Sequence, residues 1–246
     1  MDESTDQNAA LWKSAEVVQT WTAEAAARER GRVTHRRILA ELLPFDSSAE
    51  FTFLDLGAGT GAATRAILQM YPNSTAVLAD FSDQMMTEGA RELQQLADRY
   101  RYVEFDMVQG PWPEQIPDAL DAIVTSLCVH HLPDERKQTL FAEIFDRLAP
   151  GGWYLNYDPV IADDPVVEAT WQRVNDRLDP EAAHKRQHRS SQEQARHENH
   201  VRYMIPLDRQ VAYLRAAGFA GVDVYWKHLE NVIYGGVRPV RPSSGT

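Results

Sequence analysis

The sequence predicts an α/β fold, a largely parallel sheet with helices on both faces. Three observations carry that prediction. Apolar strand-like runs alternate with segments of helical period from residue 53 onward. The first run, Phe53-Leu54-Asp55-Leu56, passes directly into Gly57-Ala58-Gly59-Thr60-Gly61, and a helix begins at once after it. The second run, Ala76-Val77-Leu78-Ala79, closes on an acid, Asp80, about 20 positions beyond the glycines. Glycine lets the backbone turn with positive φ and approach a ligand closely, and the free N–H groups of the next helix favour a negative group. The loop therefore reads as a nucleotide-type cofactor site, with the acid placed for a ribose.

The elements follow in order. Residues 6 to 30 and 33 to 43 read as leading helices, ended by Pro44 with Ser47 and Ser48. Trp12 and Trp21 would lie on opposite faces of one continuous helix at 100° per residue, so they cannot share a single packing stripe. After the glycine loop and second strand, Ser82 is a short side-chain acceptor suited to cap the helix carrying Met85, Met86 and Leu93. A third strand, Val103 to Met107, precedes a fourth, Asp121 to Ser126. Leu140, Phe141, Ile144, Phe145 and Leu148 recur at helical spacing until Pro150-Gly151-Gly152 stops them. A fifth strand, Trp153 to Tyr157, ends the core. The segment from Val160 to Tyr203 has no place in the sheet, and the tail from Arg238 to Thr246 is expected to be mobile.

Composition narrows the classes. With 246 residues, 43% of them hydrophobic, the chain can build one sizeable core. Met1-Asp2-Glu3-Ser4 lacks the basic start and apolar stretch of a signal peptide, and no apolar run reaches membrane-spanning length, so a cytoplasmic protein is expected. A formal charge of −11 argues against a broad phosphate-binding surface, and hence against nucleic acid as a partner. The single cysteine, Cys128, excludes an internal disulfide and a cysteine-based structural zinc site.

The glycine loop alone leaves the cofactor open. Gly57, Gly59 and Ala62 formally meet the dinucleotide pattern G-x-G-x-x-G/A. Asp55 two residues before Gly57, the third glycine at Gly61 and the leading helices instead give D-x-G-x-G-x-G, and here the chain resembles the class I S-adenosylmethionine-dependent methyltransferases. The resemblance extends over Leu78-Ala79-Asp80-Phe81-Ser82, Phe105-Asp106-Met107, Cys128-Val129-His130-His131-Leu132, the Leu148 to Gly152 turn and the ending from Ala217 to Gly236, about residues 33 to 237 in all.

That resemblance implies a Rossmann-like methyltransferase fold with a seven-stranded, mostly parallel sheet whose last strand is antiparallel. It implies S-adenosylmethionine as cofactor and a small-molecule acceptor. By position, Gly57, Ala58 and Gly59 with Asp55 would serve the amino-acid and ribose portions, Asp80 the ribose hydroxyls, Phe81, Met85, Asp106, Met107 and Val108 the adenine, and Leu127 the methionine. The expected organisation is one domain: a helical cap over 1–45, a cofactor core over 46–160, a lid or acceptor insertion over 161–205, and a last helix with hairpin over 206–237.

Candidate catalytic groups are His130, His131 and Asp158. Adjacent histidines point differently, so only one is expected to face the pocket, where a neutral imidazole has a suitable pKa for a base. Asp158, in Asn156-Tyr157-Asp158-Pro159, could orient a histidine or an amine, or cap a turn. His184 with His188, and His197 with His200, would each share a helix face, yet their polar surroundings read as a solvated helix and no metal is expected. Lys185, Arg186, Arg189 and Arg196 could instead let the lid grip an acidic acceptor. The sequence after the fourth strand, Ser126-Leu127-Cys128-Val129, lacks the [DNS]-P-P-[YFW] motif of enzymes methylating amino groups of DNA bases. Other uses of the same cofactor, such as carboxymethyl chemistry or cyclisation, a nicotinamide-dependent oxidoreductase and a silent cofactor-binding module remain as alternatives.

Overall fold

The computed structural model describes residues 32–240. The expectations for residues 6 to 30, including Trp12 and Trp21, lie outside the described residues. Seven strands form one sheet in the order β3-β2-β1-β4-β5-β7-β6: β1 (Thr52–Leu56), β2 (Thr75–Asp80), β3 (Tyr100–Glu104), β4 (Leu120–Ser126), β5 (Leu148–Pro159), β6 (Ala220–His228) and β7 (Asn231–Val237). β1 pairs in parallel with both β2 and β4, while β7 runs antiparallel to β5 and β6. The chain thus builds outward from β1 in one direction, then crosses back to build in the other. The boundary between β1 and β4 is the switch in strand order, where ligands of open α/β sheets bind beyond the strands' carboxyl ends.

Alternation along the strands divides the core into two layers. In β1, Leu54 and Leu56 are buried on one face, with Leu140, Phe141 and Ile144 of α4 (Asp134–Arg147) and Leu214 of α8 (Leu207–Ala217). Phe53 is buried on the other, with Leu39 and Leu43 from α1 and its end (helix over 32–41) and Ile67 and Leu68 from α2 (Ala62–Met70). Both faces being covered explains why the inner strands read as continuous apolar runs. Helix α3 (Asp83–Glu92) follows β2, with the Ser82 hydroxyl accepting from Met85 N–H. Three further helices, α5 (Pro165–Leu178), α6 (Pro180–Gln187) and α7 (Ser191–Val201), make up the segment between β5 and α8.

Three boundaries differ from expectation. β3 spans Tyr100–Glu104, so Asp106 and Met107 stand on the loop beyond it rather than in the strand. β5 starts at Leu148: Leu148 pairs with Leu120, the register shifts, and Trp153 then pairs with Ala122, so the Pro150-Gly151-Gly152 turn is an irregularity inside a long strand. Arg238, expected to begin a mobile tail, is anchored instead. Its backbone bonds Gly151 and Gly152, and its guanidinium donates to the carbonyls of Phe145, Asp146 and Leu148, which are orphan acceptors at the end of α4. The charge of an arginine answering a helix C-terminus was the missed signal.

Candidate active site at the switch point

The glycine loop has the conformation its composition demands. Gly57, Gly59 and Gly61 have φ of 73°, 54° and 75°. Gly57 N–H and Ala58 N–H both donate to Ala79 carbonyl, which stitches the loop to the end of β2. A Cβ on Gly57 would lie 2.1 Å from Cys128 Sγ, whereas one on Gly59 would meet nothing within 4 Å. Gly57 is therefore glycine for packing against the β4 loop as well as for φ. Gly59 opens on free space.

Asp80 floors the cleft and organises the loop. Its Oδ2 accepts from Gly59 N–H at 2.7 Å and its Oδ1 from Ser82 N–H at 2.9 Å. Burial pushes its carboxyl up, opposed by those backbone donors. Each oxygen keeps a second acceptor site, which suits a pair of vicinal hydroxyls. Asp106 accepts from Val108 N–H at 2.9 Å, fixing the loop after β3. Gly57, Ala58, Gly59, Asp80, Phe81, Met85, Asp106, Met107, Val108, Leu127 and His131 all line one cleft.

Asp55 does not line it. Its Oδ2 accepts from the Thr64 N–H and hydroxyl at 3.1 and 2.7 Å, so it acts behind the loop by holding the first turn of α2. Burial pushes its carboxyl up to about 6. The correction has a simple cause: the Asp55 side chain points to the α2 side of the sheet, away from the cleft.

His130 and His131 separate. His131 lines the cleft, while His130 is 2% exposed and lies behind it. Asp158, fully buried in β5, receives both His130 N–H at 2.7 Å and the His130 ring at Nδ1, 2.6 Å. Burial disfavours charge on both partners, pushing Asp158 up to about 7 and His130 down to about 3. It also pushes His131 well below the usual histidine range. Both rings are therefore neutral at physiological pH.

Sequence reasoning missed three participants. Arg36, on α1 and 6% exposed, lines the cleft beside the glycine loop. Its helix was expected as part of the leading helical cap, with no role given to Arg36. Tyr203 lines the cleft from the end of the 161–205 segment, and the buried Lys137 ammonium donates to the carbonyls of both Tyr203 and Leu132, tying that segment to the His130-His131 loop. His200, at the last turn of α7, brings its ring 4.7 Å from that of His130 and 5.4 Å from that of His131. By contrast, Arg186 pairs with Asp176 and Lys185 with Glu181, inside the segment itself, and neither lines the cleft. The His184 and His188 rings stack on each other at 4.1 Å.

The residues fit S-adenosylmethionine. An apolar slot of Phe81, Met85 and Val108 suits adenine, Asp80 suits ribose hydroxyls, and the buried Arg36 guanidinium beside Gly57 and Gly59 suits a carboxylate.

Comparison with known proteins agrees with this geometry. Residues 54–154 match the methyltransferase domain family. An uncharacterized methyltransferase of Bacillus thuringiensis is 29% identical over 125 residues, covering 49% of this chain and 54% of that protein. The chain therefore matches about half the length of such relatives. Among solved structures, an O-methyltransferase family protein from Burkholderia thailandensis superposes with a TM-score of 0.68 at 15% identity, covering 96% of this chain and 64% of the other. An O-methyltransferase family 2 protein from Planctomyces limnophilus, in complex with apigenin, does so at 0.64 and 19% identity, over 91% and 61%. No helix among the described residues is long and apolar enough to cross a membrane. The glycine loop, the acid ending β2 and the 3-2-1-4-5-7-6 sheet give this chain a Rossmann-like methyltransferase fold, within which residues 54–154 match the methyltransferase domain family.

Proposed function

We propose that this protein transfers a methyl group from S-adenosylmethionine to a small-molecule acceptor that enters beneath the 161–205 segment. The observation that carries the reading is that one cleft joins Asp80 and Asp106 at one end to His131, Leu132 and Tyr203 at the other. The cofactor, when bound, supplies an electrophilic methyl on a charged sulfur that is already a good leaving group. The protein then has to supply position, dryness and a destination for any proton the acceptor loses.

The chain's residues divide those tasks. Asp80 and Asp106 orient the nucleoside end, and Arg36 holds the carboxylate end through charge. Leu127, Leu132 and Tyr203 exclude water where the reacting atoms meet. His131 presents a neutral ring to that end of the cleft, the form that can accept a proton. Asp158 holds His130 directly behind it, so His130 and Asp158 act as positioning residues. Support for a small acceptor comes from Tyr203, which brings the 161–205 segment to the cleft, and from the apigenin complex of the Planctomyces protein.

Calorimetry with S-adenosylmethionine, S-adenosylhomocysteine and NAD tests the cofactor half. Micromolar binding of the first two, lost in Asp80→Ala, is expected; binding of NAD alone would move the chain to the oxidoreductases. Transfer of labelled methyl across a panel of phenols, amines and carboxylic acids tests the rest. A protein that binds the cofactor but forms no S-adenosylhomocysteine with any acceptor in the panel would favour the silent-module alternative.

A further inference from the structure

Behind the acceptor end of the cleft, three imidazoles converge from two elements distant in sequence. His130 and His131 follow β4, and His200 ends α7. One ring nitrogen from each can be chosen so that all three lie within 4.8 Å of one another. The rings of His130 and His131 are 3.9 Å apart, and the His200 ring meets both edge-on. Edge-to-edge ligand separations in a tetrahedral site with metal–nitrogen bonds of about 2.0–2.1 Å are roughly 3.4 Å, so the three nitrogens need only draw inward from that 4.8 Å limit to hold an ion.

A second, independent observation points to a ligand there. His130 is 2% exposed, and its Nδ1 is committed to Asp158 at 2.6 Å. Its other nitrogen, Nε2, is buried with no hydrogen-bond partner among the described residues. A buried, unpaired polar atom costs about 1–3 kcal/mol unless something satisfies it. An imidazole that hands one N–H to a carboxylate and keeps its other nitrogen for a metal is the outer-sphere arrangement that orients metal-bound histidine.

We propose that His130, His131 and His200 form a divalent-cation site of the zinc class, with Asp158 as its outer-sphere carboxylate. Three neutral nitrogen ligands suit zinc, cobalt or nickel far better than magnesium or calcium, which prefer oxygen. Three protein ligands leave a fourth position open. Because His131 also lines the cleft, that position faces the acceptor end, where an oxygen of the acceptor can occupy it. Binding the ion would pin the end of α7 onto the His130-His131 loop. This rests on the methyl-transfer reading only for the identity of the oxygen ligand; in the metal-loaded protein the His131 lone pair is held by the ion, and its proton-accepting role belongs to the metal-free protein.

The test uses the full chain, freed of metal with a chelator and titrated with Co²⁺ and with Zn²⁺ against a chromophoric competitor. One equivalent per chain, with the visible absorption of four-coordinate Co²⁺ displaced by Zn²⁺, is expected. His200→Ala, on an exposed helix end that threatens folding least, should weaken binding at least about 100-fold, and Asp158→Asn about 10 to 100-fold. His184→Ala with His188→Ala should leave it unchanged. Absence of a stoichiometric Co²⁺ spectrum, equal affinity in His200→Ala, or loss of binding only in the His184 and His188 double variant would each overturn the site. Binding of S-adenosylhomocysteine, measured on the same samples without metal, reports separately on the cofactor reading.

Discussion

Arg136 Nε donates to the carbonyl of Met107 at 2.6 Å, so a residue of α4 holds the loop after β3 against the cleft. The other edge of the guanidinium grips both oxygens of Glu143, at 2.8 and 2.7 Å. Glu143 also accepts from the Trp112 indole at 2.8 Å. The loop after β3 is thus carried by a planar fork. Arg136→Lys keeps the charge and loses the fork. We expect cofactor affinity to fall by about five- to tenfold, the worth of one ordinary hydrogen bond, while circular dichroism stays unchanged. Calorimetry with S-adenosylhomocysteine checks it.

The two glycines of the cofactor loop should respond differently to alanine. Gly59→Ala meets open space and bears only the strain of a left-handed backbone, about 1–2 kcal/mol. Gly57→Ala adds a clash with Cys128 Sγ and Cβ, at 2.1 and 2.8 Å, and should cost about 1–3 kcal/mol more. Denaturant unfolding separates them. Cys128→Gly in the Gly57→Ala background should recover the clash component, and equal stability of the two single variants would refute the packing argument.

Asp55 predicts a pH dependence. Its folded pKa, about 6, lies above its ordinary 3.8 because burial opposes charge more than Thr64 supports it. Between those values the native state holds a proton that the unfolded chain has released. Stability therefore falls as pH rises through that window, by about 3 kcal/mol at most, and levels off above it. The difference in unfolding free energy between wild type and Asp55→Asn, followed from pH 3.5 to about 7, should slope in that window and be flat beyond.

A chain of buried polar groups crosses the sheet. Thr125 donates to Asn156 Oδ1 at 2.7 Å, Asn156 Nδ2 donates to Tyr234 at 2.8 Å, and Tyr234 donates to Gln210 at 2.5 Å. Asn156→Leu removes both bonds of the bridging amide, leaving Thr125 with the Tyr154 hydroxyl alone and Tyr234 with Gln210 alone. At about 0.5–1.5 kcal/mol for each lost hydrogen bond, we expect a loss of about 1–3 kcal/mol, read as a lower denaturant midpoint.

What was legible in the sequence was local. The glycine loop, Asp80 and the Ser82 cap lie within one strand-loop-helix-strand stretch, where spacing dictates geometry. The mostly parallel seven-stranded sheet, its antiparallel last strand and the helices on both faces followed from alternation and from resemblance; the strand order came only with the structure. Arg36 and Tyr203 come to the cleft, and His200 to the His130 and His131 rings, from segments remote from the loop, and no local pattern marks an arginine inside a packing helix or a histidine at a polar helix end. Asp55 was misread for the opposite reason. Its place in the motif was clear, but a strand sends alternate side chains to opposite faces, and only the structure shows which face meets the cleft.

The division of the cleft along the β1–β4 boundary has a consequence for how such proteins diversify. On the proposed reading, the loops after β1, β2 and β3 would meet the cofactor, while the β4 loop and the segment clamped by Lys137 would meet whatever is modified. The first group is interlocked through the Asp80 carboxylate and the Ala79 carbonyl, with Gly57 packed against Cys128 of the β4 loop, and tolerates little revision. The second is inserted between two strands and held at few points. A lineage could therefore exchange that insertion, acquiring a new repertoire of acceptors, without rebuilding the apparatus that delivers the methyl group.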